Sequence, residues 1–368
     1  MADRNRFFRN VLIKAAILFL AVNAVFAAVD FLPALGRISI YNRLIPGRMR
    51  LPYGEHPESN YNLSLFNLEA MFAAHEIAAR PEPGGFRVVL VGDSSTWGFL
   101  LRPEETLAAR INVESNGALR VYNLGYPTMS ATKDLLMLKY AMRYEPDLVI
   151  WLLTLESLPQ GKQLASPILQ HNAGEVRSLI ARYGLASDPE DPRLLEPTVW
   201  DRTLVGERRE LADLIRLQMY GFLWAATGVD HSIPAEFDPP QRDLDAKTGF
   251  YGREGPQFAD GDLAFDVLAA GRELAGGVPL WIVNEPVYVS DGANSDIRYN
   301  FFYPRWAYDD YRSLLAGWCS RNQIRLFDYW DLIPPEEFSN SAIHRTPVGE
   351  AMLADRLLAA FIKEKDER

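Results

Sequence analysis

Arg87-Val88-Val89-Leu90-Val91-Gly92-Asp93-Ser94-Ser95-Thr96-Trp97-Gly98 is the stretch whose reading decides the fold. It is entered from Pro83-Gly84-Gly85, and its consecutive branched aliphatic residues predict a strand buried on both faces. At Gly92 the aliphatics give way to small residues and hydroxyls. Glycine lets the backbone turn sharply at a strand end, and a serine there can point into a cleft. Open parallel sheets bind ligands at the carboxyl ends of their strands. Ser94 therefore stands where a nucleophile is useful, although a serine that only caps the next helix fits the same residues.

Working outward, the same grammar recurs. Arg120 to Gly125 reads as a second short strand with a polar end, followed by a helix capped by Thr128 or Ser130 and running to about Tyr144. Pro146-Asp147 breaks that helix, and Leu148 to Leu153 is a third buried strand ending at Thr154-Leu155-Glu156-Ser157. Strand, helix, strand, helix, strand in this length implies right-handed crossovers and a parallel sheet. A fourth strand at Val278–Val283 ends in Asn284-Glu285-Pro286, and a fifth at Ile324–Phe327 ends at Asp328. The last helix begins at Thr346-Pro347, with Leu353, Leu357 and Phe361 on one face.

Between the third and fourth strands the pattern breaks. Residues 158 to 260 read as a helical insertion, with helices at Ala173–Tyr183 and about Arg208–Ala226. The second has a strongly apolar centre but carries Asp213 and Arg216, so it is too short and too charged to span a bilayer. The favoured expectation is a buried cap over the rim of the sheet, with a membrane-lying face as the competing one.

The amino terminus bears on the compartment. Val11 to Val29 carries a single charge, Lys14, and is preceded by Arg4, Arg6 and Arg9. About 20 apolar residues cross a bilayer, and Lys14 can snorkel to the headgroups. A cleaved signal peptide competes, but Val25-Phe26-Ala27 is a poor cleavage site. The expected organisation is a tail and membrane anchor at 1–35, a membrane-proximal connector at 36–85 with a helix at Leu65–Ala79, and a domain at 86–366 facing outward. The net charge of −10 argues against nucleic acid, since phosphate binding needs a basic face. The single cysteine, Cys319, excludes an intramolecular disulfide, and no histidines pair at metal-ligand spacing. No cofactor is expected.

If the sheet is parallel, Asp93-Ser94, Asn123–Gly125, Thr154 with Glu156, Asn284-Glu285 and Asp328 share one rim. That is the arrangement a serine, a base and oxyanion donors need. Among the histidines, His56, His75, His171 and His231 fall in the connector or insertion. His344 alone follows a terminal strand, and an uninvolved His344 fits the spacing as well as a base does. An aromatic run, Tyr299, Phe301, Phe302, Tyr303, Trp306 and Tyr308, suits either a sugar-stacking wall or ordinary packing.

Several blocks together resemble one family. Gly92-Asp93-Ser94-Ser95-Thr96-x-Gly98 resembles the first block of the SGNH (GDSL-type) hydrolases, and Asn123-Leu124-Gly125 resembles the second. Pro146-Asp147-Leu148-Val149 leads into a strand as the third does, and Ser341-Ala342-Ile343-His344-Arg345-Thr346-Pro347-x-Gly349 resembles the last. The resemblance implies a three-layer α/β/α fold around a five-stranded, mostly parallel, flavodoxin-like sheet. It implies Ser94 as nucleophile, His344 as base, and the amides of Ser94 and Gly125 as oxyanion donors.

Two departures stand out. The family's third block supplies an asparagine donor where this chain has Thr154-Leu155-Glu156-Ser157, and an ionised Glu156 cannot donate. The acid that usually orients the histidine is replaced by Ser341, preceded by Asn340, either of which can hold the imidazole by a neutral hydrogen bond. Asp328, Asp331, Glu336 or Glu337 can substitute from the loop. Asp93, Asn123, Asn284, Glu285, Tyr303 and Trp306 are the expected substrate contacts. One anchor, a connector and such a domain also resemble membrane-anchored proteins that move or remove acyl groups on surface glycans. The implied partners are the membrane, an acylated glycan and a membrane acyltransferase. The alternative expectation is a carbohydrate-binding or scaffold subunit that has lost its chemistry.

Overall fold

A computed structural model describes residues 2–29, 31–35, 38, 40, 44, 66, 68–73, 75, 77, 85–227, 233 and 236–367. Most of the expected connector, with His56, lies outside the described residues, as does His231. Of the helix expected at Leu65–Ala79, the described part is α3, Leu68–Ala73, which follows α1, Ala2–Val29, and α2, Leu32–Leu35.

The core is a five-stranded sheet of β1 (Phe86–Gly92), β2 (Leu119–Gly125), β3 (Leu148–Leu153), β4 (Leu280–Asn284) and β5 (Arg325–Asp328). The order is β2-β1-β3-β4-β5 and every pairing is parallel, which is the flavodoxin-like arrangement. Register aligns the carboxyl ends: Gly92 pairs with Gly125, Leu153 with Asn284, and Asn284 with Asp328. The chain changes direction across the sheet between β1 and β3, the position where such sheets form a crevice.

Side chains alternate across the strands. Val89, Val91, Val149, Trp151 and Ile282 pack on one face against α6 (Ala131–Ala141), α10 (Phe265–Ala275) and α11 (Arg305–Arg321). Val88, Leu90, Ile150, Trp281 and Val283 pack on the other against α5 (Leu107–Glu114) and α12 (Pro347–Glu367). Both faces being covered explains why the strands read as continuous apolar runs. Short α4, Ser94–Trp97, leaves the end of β1 directly, and α7, Pro167–His171, precedes α8, Ala173–Tyr183.

The insertion contains α8 at the expected position, and Val176, Leu179 and Ile180 join the core. The second insertion helix, α9, spans Arg208–Thr227. The expectation that its apolar centre is a buried cap is corrected: Ile215 is 64%, Met219 66% and Leu223 61% exposed. Helical spacing of apolar residues is the same whether the face meets protein or something else, so the sequence did not distinguish them.

A buried cation ties the site end of the sheet together. Lys133 on α6 is fully buried and donates to the carbonyls of Gly92 at 2.6 Å and Tyr126 at 3.3 Å, and it pairs with Asp134. Asp134 accepts from the Trp151 indole at 3.0 Å, and burial pushes its carboxyl up to about 6. Removing one member leaves an uncompensated buried charge. Lys133→Met is expected to lower unfolding free energy by about 3–5 kcal/mol, read from the denaturant midpoint of the domain.

Candidate active site

The turn from β1 into α4 is built by glycine and aspartate. Asp93 caps α4, accepting from the Ser95 amide at 2.8 Å, and its side chain is buried. Gly125 lies so close to α4 that a Cβ there would sit 2.3 Å from the Trp97 nitrogen. Only glycine lets the end of β2 approach that backbone. Gly98 then ends α4 in the left-handed conformation, with φ 89°.

This turn leaves Ser94 half-buried at the carboxyl edge of the sheet, and its Oγ lies 2.9 Å from His344 Nε2. The other ring nitrogen, Nδ1, lies 3.1 Å from Asn340 Oδ1. An amide oxygen only accepts, so Nδ1 carries the proton and Nε2 presents a lone pair to Ser94. Phe99 packs against the imidazole, with ring centroids 4.7 Å apart. Burial is the main reason the imidazole is pushed down to about 4; Asp93 opposes this and Arg345 reinforces it. His344 is thus neutral at neutral pH, the protonation state a base requires.

Of the two residues offered as partners for Nδ1, Asn340 occupies the position and Ser341 does not. The acids suggested as substitutes include two with other bonds: Asp328 pairs with Arg312 at 2.6 Å, and Glu337 accepts from Thr346 Oγ1.

The expected oxyanion donors divide. Ser94 is the first residue of α4, and first-turn amides have no intrahelical acceptor. The Gly125 amide instead donates to Asn123 Oδ1 at 3.0 Å, and Asn123 Nδ2 donates to the Trp97 carbonyl at 3.3 Å. Thr154 is fully buried. Glu156 is committed elsewhere: its carboxylate accepts from Lys162 Nζ at 2.5 Å and from the Tyr251 hydroxyl. Its own amide donates to the Tyr303 hydroxyl at 3.4 Å.

Most expected substrate contacts are corrected to structural roles. Asn284 is fully buried, donating to Asp328 at 2.7 Å and accepting from Tyr311 at 3.1 Å. Tyr303 is fully buried beside Tyr308. Trp306 donates to the Thr248 carbonyl at 2.6 Å and packs on Phe258. The aromatic run is therefore a packed layer rather than a stacking wall. Asp93 and Asn123 are inside as well, holding the turn.

Glu285, also expected to meet substrate, has 0% exposure. Its Oε2 accepts from Ser95 Oγ and from Arg345 Nη1, the latter at 3.0 Å. Ser95 follows Ser94 and Arg345 follows His344, so one carboxylate grips the neighbours of both. Arg345 also reaches Glu350 at 3.2 Å, and burial raises both carboxyls while the pair of them keeps Arg345 cationic. Nothing in the sequence set Ser95, Arg345, Glu350 or Lys133 apart as residues that hold the site. Arg345 lies inside the last block, but its ion pair joins positions 60 residues apart.

No family model matches the chain, and no curated protein matches it. Among solved structures it is similar to a carbohydrate acetylesterase family member from Sinorhizobium meliloti, with 13% identity and TM-score 0.35 over 75% of this chain and 97% of that one. It is similar to the aryl esterase of M. smegmatis, with 12% identity and TM-score 0.37 over 76% of this chain and 99% of that one. A lipolytic protein of the G-D-S-L family from Desulfitobacterium hafniense shows 11% identity and TM-score 0.33 over 74% and 98% of the two chains. Likeness this remote carries no chemistry across. What this chain can do rests on its own geometry.

That geometry has measurable consequences. The depressed His344 value means that the unfolded chain binds the proton first, so this residue's contribution to stability is full above pH 6.5 and is lost as pH falls toward about 4. In an NMR titration the His344 ring is expected to stay neutral through pH 5, and Asn340→Asp is expected to move its titration upward by placing a carboxylate on Nδ1. Glu285→Ala leaves Arg345 with Glu350 as its remaining carboxylate and takes the acceptor from Ser95 Oγ, and is expected to cost about 1–3 kcal/mol of unfolding free energy by denaturant titration.

Proposed function

We propose that the chain is a serine-dependent ester hydrolase of the SGNH type. The observation that carries this reading is the Ser94–His344 contact of 2.9 Å at the carboxyl edge of the sheet, with the ring held by Asn340. Ser94 Oγ attacks an acyl carbonyl while His344 Nε2 takes the hydroxyl proton. The carbonyl π pair moves onto oxygen, and the Ser94 amide donates to that oxyanion. Collapse expels the alcohol, which leaves with the proton from His344 and leaves an acyl group on Ser94. Water, activated by the same imidazole, releases the acid and restores the serine. A sugar hydroxyl in place of water makes the same cycle an acyl transfer.

The finer part of the proposal concerns where this happens. Among the described residues one helix, Arg4–Val29, is long and apolar enough to cross a membrane, with mean hydropathy 2.3. Its basic start, Arg4, Arg6 and Arg9, suits the inner side and leaves the large domain outside. An outward-facing esterase fixed to the membrane fits O-acyl groups on a surface glycan, delivered or removed beside a membrane acyltransferase.

Two observations favour a second reading, a glycan-binding or scaffold subunit. Gly125 gives its amide to Asn123, and Glu156 stands where a donor is needed. Losing one such donor typically costs about 10²–10³ in rate. Hydrolysis of para-nitrophenyl acetate separates the two. The enzyme reading expects Ser94→Ala to lower kcat/KM by at least about 10³-fold with the fold unchanged by circular dichroism. Equal rates for the two proteins remove the esterase and leave the binder.

A further inference from the structure

Among the described residues the apolar stripe of α9 is left uncovered. Ile215, Met219, Phe222 and Leu223 lie at helical spacing on one side, and all are exposed. Arg209, Glu210 and Asp213 are exposed too and lie away from that stripe, with Arg216 on its flank. A 20-residue helix is ~30 Å long, so the stripe is far larger than a scattered surface residue.

What lies beside α9 identifies its occupant. Gln218 donates to the Ile38 carbonyl at 3.0 Å and accepts from the Ile40 amide at 2.9 Å, so the helix is bound to the chain just beyond α1 and α2. The Val205 amide, just before α9, donates to Asn23 Oδ1 at 3.2 Å. Asn23 is buried in a mostly exposed apolar helix, and its Nδ2 donates to the Phe19 carbonyl at 2.9 Å. Asn23 lies six residues before the end of α1, about 9 Å along its axis. The loop into α9 therefore reaches below the end of the apolar helix. Val199 and Trp200, in the loop that leads into α9, are 77% and 63% exposed.

From this placement we propose that α9 is an interfacial helix, lying in the plane of the bilayer with Ile215, Met219, Phe222 and Leu223 among the acyl chains. A helix with one apolar side and a charged opposite side settles at that depth. Tryptophan near its start suits the headgroup level. The proposal rests on the reading of α1 as a membrane span. Two fixed elements, one crossing and one lying flat, would set the tilt of the whole domain over the membrane.

The test uses the full chain in vesicles of phosphatidylcholine and phosphatidylglycerol. Cys319 is buried, so a single added cysteine takes an environment-sensitive fluorophore. The sites are Met219→Cys and Phe222→Cys on the stripe, Glu210→Cys and Asp213→Cys opposite it, and Leu18→Cys in α1. Strong quenching by acyl-brominated lipid is expected at 219, 222 and 18, with weak quenching at 210 and 213. Quenching at 18 with 219 and 222 no different from 213 overturns the proposal and leaves the span standing. Probes at 219 and 222 shielded from aqueous iodide but untouched by brominated lipid also overturn it, because a protein surface then covers the stripe. No quenching at 18 removes the span and this proposal together. Esterase activity, measured on the same vesicles, is independent of all of these outcomes.

Discussion

Glu285 accepts two hydrogen bonds on one oxygen, from Ser95 and from Arg345, inside a core from which water is excluded. A buried charge is tolerated only where its partners are in place. The carboxylate sits just past β4, Ser95 just past β1, and Arg345 in the loop before α12. Satisfying Glu285 therefore forces three distant parts of the chain to meet at one point. Glu350 holds the far side of Arg345, which ties the first turn of α12 into the same point. Ser94 and His344 each lie one residue from this clamp. Their contact, across 250 residues of sequence, is a consequence of it.

Lys133 does the corresponding work from the other face of the sheet. It holds the carbonyl of Gly92, the last residue of β1, while Asp134 holds Trp151 in β3. The turn that bears Ser94 is thus fixed at its entry by a buried cation and just beyond the serine by a buried carboxylate. Lys133 is held by two backbone carbonyls and a carboxylate, and Glu285 by the side chains of Ser95 and Arg345, all from different parts of the chain. A turn held this way has little freedom to adjust, which suits a nucleophile whose angle of attack matters.

The sheet was legible because its strands are short, largely apolar runs with polar or glycine residues at their ends, and register then placed those ends together. Ser94 and His344 were legible through the resemblance of the blocks that hold them, since by position alone a capping serine and an uninvolved histidine fit as well. The remaining polar residues at the strand ends were not separable in the same way. Asn284 and Glu285 read as rim residues, yet each is turned inward to satisfy another buried group. Sequence shows that a polar residue stands at a strand end; it does not show on which side of the backbone its partner waits. Lys133 and Asp134 were silent for the same reason, as adjacent charges on a helix usually mean a solvated face. The stripe on α9 misled in the opposite direction, since apolar periodicity records that a face avoids water and not what it meets.

The two networks also bear on why the pair itself is present. Neither Ser94 Oγ nor the His344 ring belongs to them: the charges are carried by Ser95, Glu285, Arg345 and Glu350 on one face and by Lys133 and Asp134 on the other. Replacing the serine hydroxyl or the imidazole breaks no buried ion pair. Asn340 is exposed, and its bond to Nδ1 lies outside both networks. A hydroxyl, an imidazole with its lone pair aimed at that hydroxyl, and an amide that fixes the tautomer are thus held together apart from the buried charges. A neutral amide in place of a carboxylate orients the ring without stabilising its charged form, and the low titration of His344 fits that arrangement. What the buried charges do not use, the proposed chemistry does: a base that is unprotonated at neutral pH, with its lone pair on a serine hydroxyl.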